Sequence, residues 1–307
     1  MLAKKSNGAI IASLLLAVFL WGGNNAGTKY LVQSWPPGWL GSTRLLGAGL
    51  ILMVMFKCTP WLGTMSPLTP KVKRELWWRG GLSLALYIES LNWAMRFTSA
   101  SHVALYLGMS PIWALIWDHP PTMSWRSAQR YGAAALAFAG VVVLFWPSLR
   151  GGRANLIGEV FGLIAGFLWA NYGRQCRKFG ARLSGAEVSA HTMWRGGVLL
   201  VPVALIEITR TPLEWHASFI LVQSYCAFVG GGLTYAIWNN ALKHWPTSQV
   251  FLFNNLIPLS TMGWAWACLG EPVTRTFWLA MSLVAAGMVL GQTRWEKILG
   301  SRWMPAD

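Results

Sequence analysis

Asparagines recur inside the long apolar segments of this sequence. A polar side chain in an apolar environment costs free energy unless it faces a partner, water or a solute. An amide carries both donors and acceptors, which suits a zwitterionic or amide-bearing solute. Each amide could equally link two helices through a hydrogen bond worth about 0.6–2 kcal/mol. The amides that we expect to contact a solute are Asn24, Asn92, Asn239 and Asn254.

Tryptophans form a second group of candidate binding residues. Trp21, Trp113, Trp169 and Trp238 lie deep in apolar segments, where a ring must face lipid, another helix or a cavity. A cavity with aromatic walls stacks well on aromatic or cationic solutes and rejects strongly hydrated ones. We predict that these four rings line such a cavity, and helix packing is the alternative for each of them.

Three titratable residues are expected at similar depth on neighbouring helices: Glu89, Arg44 and His102. An isolated carboxylate inside a membrane can load and release a proton, so the trio is a candidate proton relay. The alternative is a static ion pair between Glu89 and Arg44 that holds two helices together. Arg195 has no obvious acidic partner, so we expect it either to attract a carboxylate or to extend towards the membrane surface.

Two prolines each fall near the middle of an apolar segment, Pro111 and Pro258. A proline inside a helix removes one backbone hydrogen bond and frees a carbonyl one turn earlier. Both residues are therefore predicted to be hinges that shape a cavity, with an inert kink as the alternative.

The composition predicts an all-α membrane protein. The chain has 307 residues, of which 54% are hydrophobic and 11% are charged, and 21 are Trp. A soluble domain of this size could not bury so much apolar surface. Ten stretches approach the length that crosses about 30 Å of hydrocarbon. They lie at about 8–33, 38–57, 76–97, 99–118, 128–146, 154–175, 185–206, 217–242, 247–269 and 273–292.

The sequence is internally repeated. Residues 92–143 align without a gap on residues 239–290, at a constant offset of 147. Earlier in each half, Phe19-Leu20-Trp21 is echoed by Phe167-Leu168-Trp169. The most informative identical pairs are Asn92/Asn239, Ser101/Ser248, Pro111/Pro258, Trp117/Trp264 and Gly140/Gly287.

This repeat predicts two domains, residues 1–150 and residues 151–307, with five transmembrane helices each. Five is an odd number, so the second half must be inverted relative to the first. Inverted repeats are typical of secondary transporters, in which two related conformations open a central site to one side and then to the other. A duplication that only builds a stable bundle is the alternative.

The distribution of positive charge predicts the orientation. The formal net charge is +15, and most of the 25 Lys and Arg residues fall in segments that the ten predicted spans place on the same side of the membrane as the N-terminus. Cytoplasmic segments carry such an excess, so both termini are predicted to be cytoplasmic. The charge thus reflects topology, and the chain contains no compact basic module of the kind that binds nucleic acid.

Several short motifs support a family assignment. The sequence resembles the drug/metabolite transporter superfamily, in its ten-helix branch of small-metabolite exporters. The first half departs from the pattern of the second, because Met123-Ser124 stands at the place of Gly270-Glu271. The likeness rests on Ala100-Ser101, Ser110-Pro111, Ala139-Gly140-Val141-Val142, Thr247-Ser248, Pro258, Leu269-Gly270-Glu271-Pro272-Val273-Thr274 and Ala285-Ala286-Gly287.

Two further motifs are similar to those of aromatic amino acid exporters. They are Trp169-Ala170-Asn171-Tyr172 and Tyr235-Ala236-Ile237-Trp238-Asn239. This resemblance implies that Tyr172 and Tyr235 also belong to the substrate site.

The sequence therefore predicts a transporter of the bacterial inner membrane that exports small amphipathic metabolites by alternating access at a central cavity. Amino acids are the expected class, with aromatic ones favoured, and the expected partners are the solute, the lipid bilayer and, as a candidate, a proton. No cofactor, metal or nucleic acid is expected. A channel or a structural membrane scaffold is the alternative. A membrane-embedded enzyme fits less well, because the ten acidic residues are scattered and no glycine-rich phosphate loop is present.

Overall fold

The computed structural model describes residues 7–110, 112–113, 117, 124–150, 153–242, 244, 250 and 252–292. Within these ranges the chain forms ten helices and no β-strand, so the prediction of an all-α protein is confirmed. The helices are α1 (Asn7–Leu31), α2 (Pro37–Cys58), α3 (residues 70–97), α4 (Ala100–Gly108), α5 (Trp125–Arg150), α6 (Arg153–Phe179), α7 (Gly185–Arg210), α8 (residues 217–242), α9 (Ile257–Leu269) and α10 (Arg275–Gln292).

Apolar length and surface both fit a membrane protein. Six described helical stretches are long and apolar enough to cross a bilayer. Many large apolar side chains face outwards, and Leu221 of α8 is 70% exposed. Such a surface needs lipid around it. The six stretches are Asn7–Leu31, Pro37–Cys58, Trp125–Leu144, Asn155–Phe179, Gly185–Arg210 and Ala217–Ala241.

Local signals set the ends of several helices. Pro37 occupies the first turn of α2, where its missing N–H costs nothing. The side chain of Ser184 accepts a hydrogen bond from the Glu187 N–H at the start of α7, and the Glu187 carboxylate accepts one from the Ser184 N–H. Gly270 ends α9 with a φ of +66°, a left-handed conformation that glycine adopts without strain.

The third helix of each half contains a π-helical segment, which the sequence analysis did not predict. In α3 it is Leu76–Gly81, between Pro70–Glu75 and Leu82–Phe97. In α8 it is Tyr225–Leu233, between Ala217–Ser224 and Thr234–Leu242. Both segments contain adjacent glycines. Such segments widen a helix locally and occur often at functional sites.

Three pairs of helices at equivalent places in the two halves pack against each other and run antiparallel. In the pair α2–α7, the Gly38 N–H donates to Glu207 Oε2 at 2.7 Å, and Ser42 Oγ donates to the Gly197 carbonyl at 2.9 Å. In the pair α4–α9, the Ala100 N–H donates to Glu271 Oε1 at 3.0 Å. Near the other end of α4, a Cβ atom added to Gly108 would lie 3.4 Å from the Pro258 side chain of α9. In both pairs the residue numbers therefore rise on one helix as they fall on the other.

The pair α5–α10 shows a reciprocal contact. A Cβ atom added to Gly140 would lie 2.8 Å from the carbonyl oxygen of Ala280, and one added to Gly287 would lie 2.6 Å from the carbonyl oxygen of Ala133. Gly287 and Ala280 are each 147 residues after Gly140 and Ala133, so the two contacts are equivalent under the sequence repeat. The glycines allow the two backbones to touch.

Candidate functional site

A cavity lies between the two halves of the helix bundle. It encloses about 900 Å³ of space that no protein atom fills, including the solvent at its mouth. Residues from α1, α2, α3, α4, α6, α7, α8 and α9, with the 3-10 segment Leu252–Leu256 that precedes α9, line it. Among the described residues, α5 and α10 contribute nothing to the lining. These two helices pack on each other outside the cavity.

Two Trp–Tyr pairs form the aromatic walls of the cavity. The ring of Trp21 on α1 lies 5.3 Å from that of Tyr235 on α8, and the ring of Trp169 on α6 lies 5.0 Å from that of Tyr87 on α3. Each pair joins one half of the chain to the other. Trp169 and Tyr235 are each 148 residues after Trp21 and Tyr87, so the pairs are related by the repeat. Edge and tilted contacts at these distances are favourable.

Amides and one arginine supply the polar part of the lining. Asn25 Nδ2 donates to Thr261 Oγ1 on α9 at 3.0 Å, whereas Asn24 Oδ1 is buried without a hydrogen-bond partner among the described residues. Asn254 lies on the 3-10 segment, and Ser110 lies just beyond the end of α4. Arg44 of α2 also borders the cavity. The site therefore combines aromatic faces with donors and acceptors that a solute could use.

Comparisons with known proteins agree with this geometry. A sequence model of the EamA-like transporter family matches residues 8–146 and 156–291. The chain belongs to this family. The predicted kinship with the drug/metabolite transporters is thereby confirmed. The chain is a multi-pass membrane protein and a transporter of the EamA-like family, whose members are transporters and efflux pumps rather than enzymes.

Two curated relatives and one solved structure illustrate the likeness. An uncharacterized transporter of Archaeoglobus fulgidus is 23% identical over 58% of this chain and 62% of its own length. A probable amino-acid metabolite efflux pump of Escherichia coli K12 is 25% identical over 95% of each chain. A crystal structure covers 97% of this chain and 100% of its own, with a TM-score of 0.63 at 18% identity, which shows the same fold.

Five of the ten predicted substrate residues of this EamA-like chain border the cavity. They are Trp21, Asn24, Trp169, Tyr235 and Asn254.

The other five do not border it. Asn92 Nδ2 donates to the Pro37 carbonyl at 2.8 Å, Tyr172 Oη lies 2.8 Å from Thr192 Oγ1, and Asn239 Nδ2 donates to the Tyr235 carbonyl at 2.8 Å. The ring of Trp238 packs on Trp21 at 5.0 Å, and Trp113 packs between Phe138 and Phe167. Asn239 Nδ2 also lies 3.4 Å from Ser189 Oγ on α7, so all five side chains contact other helices in this structure. A contact of any of them with a solute stays a prediction.

The predicted ion pair between Glu89 and Arg44 is wrong in this conformation. Glu89 Oε1 accepts a hydrogen bond from Trp93 Nε1 at 2.8 Å, and Glu89 Oε2 has no partner among the described residues. Arg44 donates instead to Asn92 Oδ1 at 3.2 Å. The cause is helical phase. Ile88 and Asn92 both lie against Gly41 of α2, whereas Glu89 is rotated by about 100° from Ile88 and about 60° from Asn92.

His102 pairs with an acid that the sequence analysis did not connect to it. His102 Nδ1 lies 2.7 Å from Oε1 of Glu159 on α6, and Glu159 is only 1% exposed. The same carboxylate accepts hydrogen bonds from Thr98 Oγ1 at 2.7 Å and from Tyr106 Oη. This cluster joins the turn between α3 and α4 to the other half. A role for Glu89 or His102 in proton coupling stays a prediction.

Two further residues, Lys29 and Glu271, form hydrogen bonds with the turn between α3 and α4 and with the start of α4. Lys29 Nζ of α1 donates to the carbonyls of Met95 and Thr98 at 2.8 and 2.9 Å. Glu271, after α9, accepts from Ser101 Oγ at 3.2 Å. Polar contacts within the first half and between the halves therefore hold this turn in place.

The structure describes one of the two prolines that were predicted to be hinges. Pro111 lies outside the described residues. Pro258 stands in the first turn of α9, directly after the 3-10 segment Leu252–Leu256, so it marks a change of helix type rather than a kink inside a regular helix. Its role as a hinge stays a prediction.

Sequence reasoning missed the cavity positions of Tyr87, Asn25, Ser110 and Arg44. One signal could have identified Tyr87, because it stands 148 residues before Tyr235, just as Trp21 stands 148 residues before Trp169. A metal site is not indicated, since no group of three or more His, Cys, Asp or Glu side chains gathers within the described ranges.

Proposed function

We propose that the chain is a secondary transporter that exports small amphipathic metabolites, with amino acids as the main class and aromatic ones favoured. The observation that carries this proposal is the pair of repeat-related Trp–Tyr contacts across one cavity, Trp21–Tyr235 and Trp169–Tyr87. Each contact bridges the two halves. A rocking movement of one half against the other would therefore separate the rings of one Trp–Tyr pair while it brings the rings of the other pair together.

Alternating access follows from an inverted-repeat architecture. In the proposal, residues 1–150 and residues 151–307 are the two repeats, and their ten helices all cross the membrane. The antiparallel pairs α2–α7, α4–α9 and α5–α10 support this, because equivalent helices of inverted repeats must run in opposite directions. The two stretches that match the family model divide the chain at nearly the same place.

Three observations favour an amino acid as the solute. Aromatic faces at the cavity suit the side chain of an aromatic amino acid. Amides such as Asn24, whose Oδ1 lacks a partner among the described side chains, suit an ammonium or amide donor. A relative that matches 95% of this chain is named as a probable amino-acid metabolite efflux pump.

The proposed location is the inner membrane, with both termini in the cytoplasm. The segments on the same side of the membrane as the N-terminus carry an excess of Lys and Arg, which supports this orientation. The solute then enters the cavity from the cytoplasm and leaves on the opposite side.

Solute counterflow in proteoliposomes tests the proposal. Liposomes loaded with unlabelled phenylalanine are expected to accumulate labelled phenylalanine transiently, and leucine is expected to compete more weakly. A labelled nucleobase and a labelled quaternary amine serve as comparison solutes of other classes. Exchange should saturate with solute concentration, because each cycle binds one solute at a limited number of sites.

Two results would contradict the proposal. Equal exchange of every solute in the panel would remove the amino-acid class. Flux that rises linearly with concentration and carries electrical current would indicate a channel instead of alternating access.

A further inference from the structure

Arg44 is a buried cation at the cavity without an acidic partner among the described residues. It is 4% exposed, lies in the middle of α2 and borders the cavity. Its guanidinium donates from Nη1 to Thr28 Oγ1 at 2.6 Å and from Nη2 to Asn92 Oδ1 at 3.2 Å. Both acceptors are neutral. The positive charge is therefore solvated by dipoles but not compensated by an anion.

The hydrogen bonds around Arg44 hold it in place. Asn92 Nδ2 donates to the Pro37 carbonyl at 2.8 Å, and this bond fixes the amide so that its oxygen points at the guanidinium. Thr28 Oγ1 in turn donates to the Asn24 carbonyl at 2.7 Å. A guanidinium has five N–H bonds in a rigid plane, and these contacts use two of them. The remaining donors are free for a ligand at the cavity.

The surroundings of Arg44 match one type of ligand. A planar guanidinium binds a carboxylate through two parallel hydrogen bonds, and such charge-assisted bonds are strong where water is scarce. Tyr87 and Tyr235, one from each aromatic wall, line the same cavity as Arg44. A molecule with a carboxylate at one end and an apolar or aromatic group at the other would satisfy both parts of the site.

The equivalent arginine of the second half is used differently. Arg195 of α7 lies with its guanidinium carbon 4.2 Å from the ring centre of Trp194 and 5.6 Å from that of Trp77. It also donates to the His191 carbonyl at 3.0 Å, and it does not line the cavity. Aromatic faces stabilise its charge. Only one of these two arginines is thus placed to meet a solute.

We propose that Arg44 binds the carboxylate of the transported solute, so that the cavity selects amphipathic molecules that carry a free acid group. This inference rests on the transport function proposed above. Arg44 neutralises the acid group, the Trp–Tyr walls hold the apolar group, and Asn92 positions the arginine without touching the solute.

Solute analogues test the inference on the unaltered protein. Binding of phenylalanine, of 3-phenylpropionate and of the uncharged 3-phenylpropionamide is measured by titration calorimetry in detergent, together with counterflow of each. We expect the two acids to bind at least about 10-fold more tightly than the amide, because only a carboxylate forms a charge-assisted pair of hydrogen bonds with the guanidinium.

Substitutions at Arg44 test whether this residue causes the preference for acids. Arg44→Gln is expected to weaken binding of both acids about 10-fold to 100-fold and to change binding of the amide by less than about 3-fold. Arg44→Lys keeps the charge but not the planar pair of donors, and should recover part of the loss. Arg195→Gln is the matched control: it should lower thermal stability and leave the preference for acids intact.

The outcomes separate this inference from the proposed function. If the unaltered protein transports the amide as well as phenylalanine, or if folded Arg44→Gln protein still prefers the acids, the role of Arg44 is wrong and transport stands. Loss of the preference in Arg195→Gln but not in Arg44→Gln would also overturn it. If the unaltered protein exchanges no member of the panel, the transport proposal itself fails.

Discussion

Replacing Trp21 and Trp169 together with alanine is expected to lower counterflow of phenylalanine about 10-fold to 100-fold. Each substitution removes one of the two Trp–Tyr pairs that join the halves and the apolar area that the ring gives to the solute, a loss of about 0.5–1.5 kcal/mol per pair. Counterflow of alanine, which reaches neither wall, should change by less than about 3-fold. The measurement is the initial rate of labelled solute entry into preloaded proteoliposomes.

The control for this variant is Trp113→Ala. Trp113 packs on Phe138 and Phe167 and does not line the cavity, so its loss should lower stability without changing the preference for aromatic solutes. Trp21→Phe and Trp169→Phe should each retain most of the activity, because a smaller ring can still stack. If the double alanine variant loses phenylalanine and alanine transport equally, the rings serve only for packing.

Replacing Gly140 or Gly287 with alanine is expected to destabilise the protein, although the same change usually stabilises a helix. A Cβ atom at either position would lie within 2.8 Å of a backbone carbonyl oxygen on the partner helix, so the backbones must separate. Overpacking of this kind costs about 1–3 kcal/mol. We expect each variant to lower the midpoint of thermal unfolding in detergent by about 2–6 °C.

Gly132 is a matched control on α5. A Cβ atom there would meet only the end of the Leu290 side chain, at 3.9 Å. Gly132→Ala should therefore leave the midpoint unchanged or raise it, because alanine favours a helix over glycine by about 0.5–1 kcal/mol. Equal effects of the three substitutions would contradict the close reciprocal contact between α5 and α10.

The positions of the helices were accessible from the sequence, whereas their internal irregularities were not. Long apolar stretches predict helices because lipid leaves the backbone few other ways to satisfy its hydrogen bonds. The π-helical segments Leu76–Gly81 and Tyr225–Leu233 were missed, because an apolar run that contains adjacent glycines is equally compatible with a regular α-helix. These segments matter for the site, because Trp21 Nε1 donates to the carbonyl of Gly230 at 3.1 Å.

The candidate site was predicted only in part, for a physical reason. Depth along a span was estimated from residue counts, which placed Glu89 level with Arg44 but did not give the direction of its side chain. A rotation of about 100° per residue decides whether a polar group faces the cavity or a neighbouring helix. Trp21 and Trp169 were identified from their depth in apolar segments, but the same criterion also selected Trp113 and Trp238, which do not border the cavity.

The partner of His102 illustrates a second limit. Glu159 lies 57 residues further along the chain and in the other half. No periodicity within one helix can indicate a contact between halves. Only the repeat gives such information, and Glu159 has no acidic counterpart at the equivalent place of α1.

The accessibility of a cysteine in the cavity tests alternating access most directly. Ser110→Cys places a thiol on the lining at little cost in volume. Cys176 and Cys226 are replaced by serine, while the exposed Cys58 and Cys268 are kept as markers of the two sides. A membrane-impermeant thiol reagent is applied to intact cells and to inverted vesicles. We expect the reagent to reach Cys58 only from the cytoplasmic side and Cys268 only from outside. The thiol at position 110 should react from each side in turn and be protected by phenylalanine. Reaction of that thiol from one side only, or reaction that phenylalanine does not slow, would contradict a central site that opens alternately to both sides.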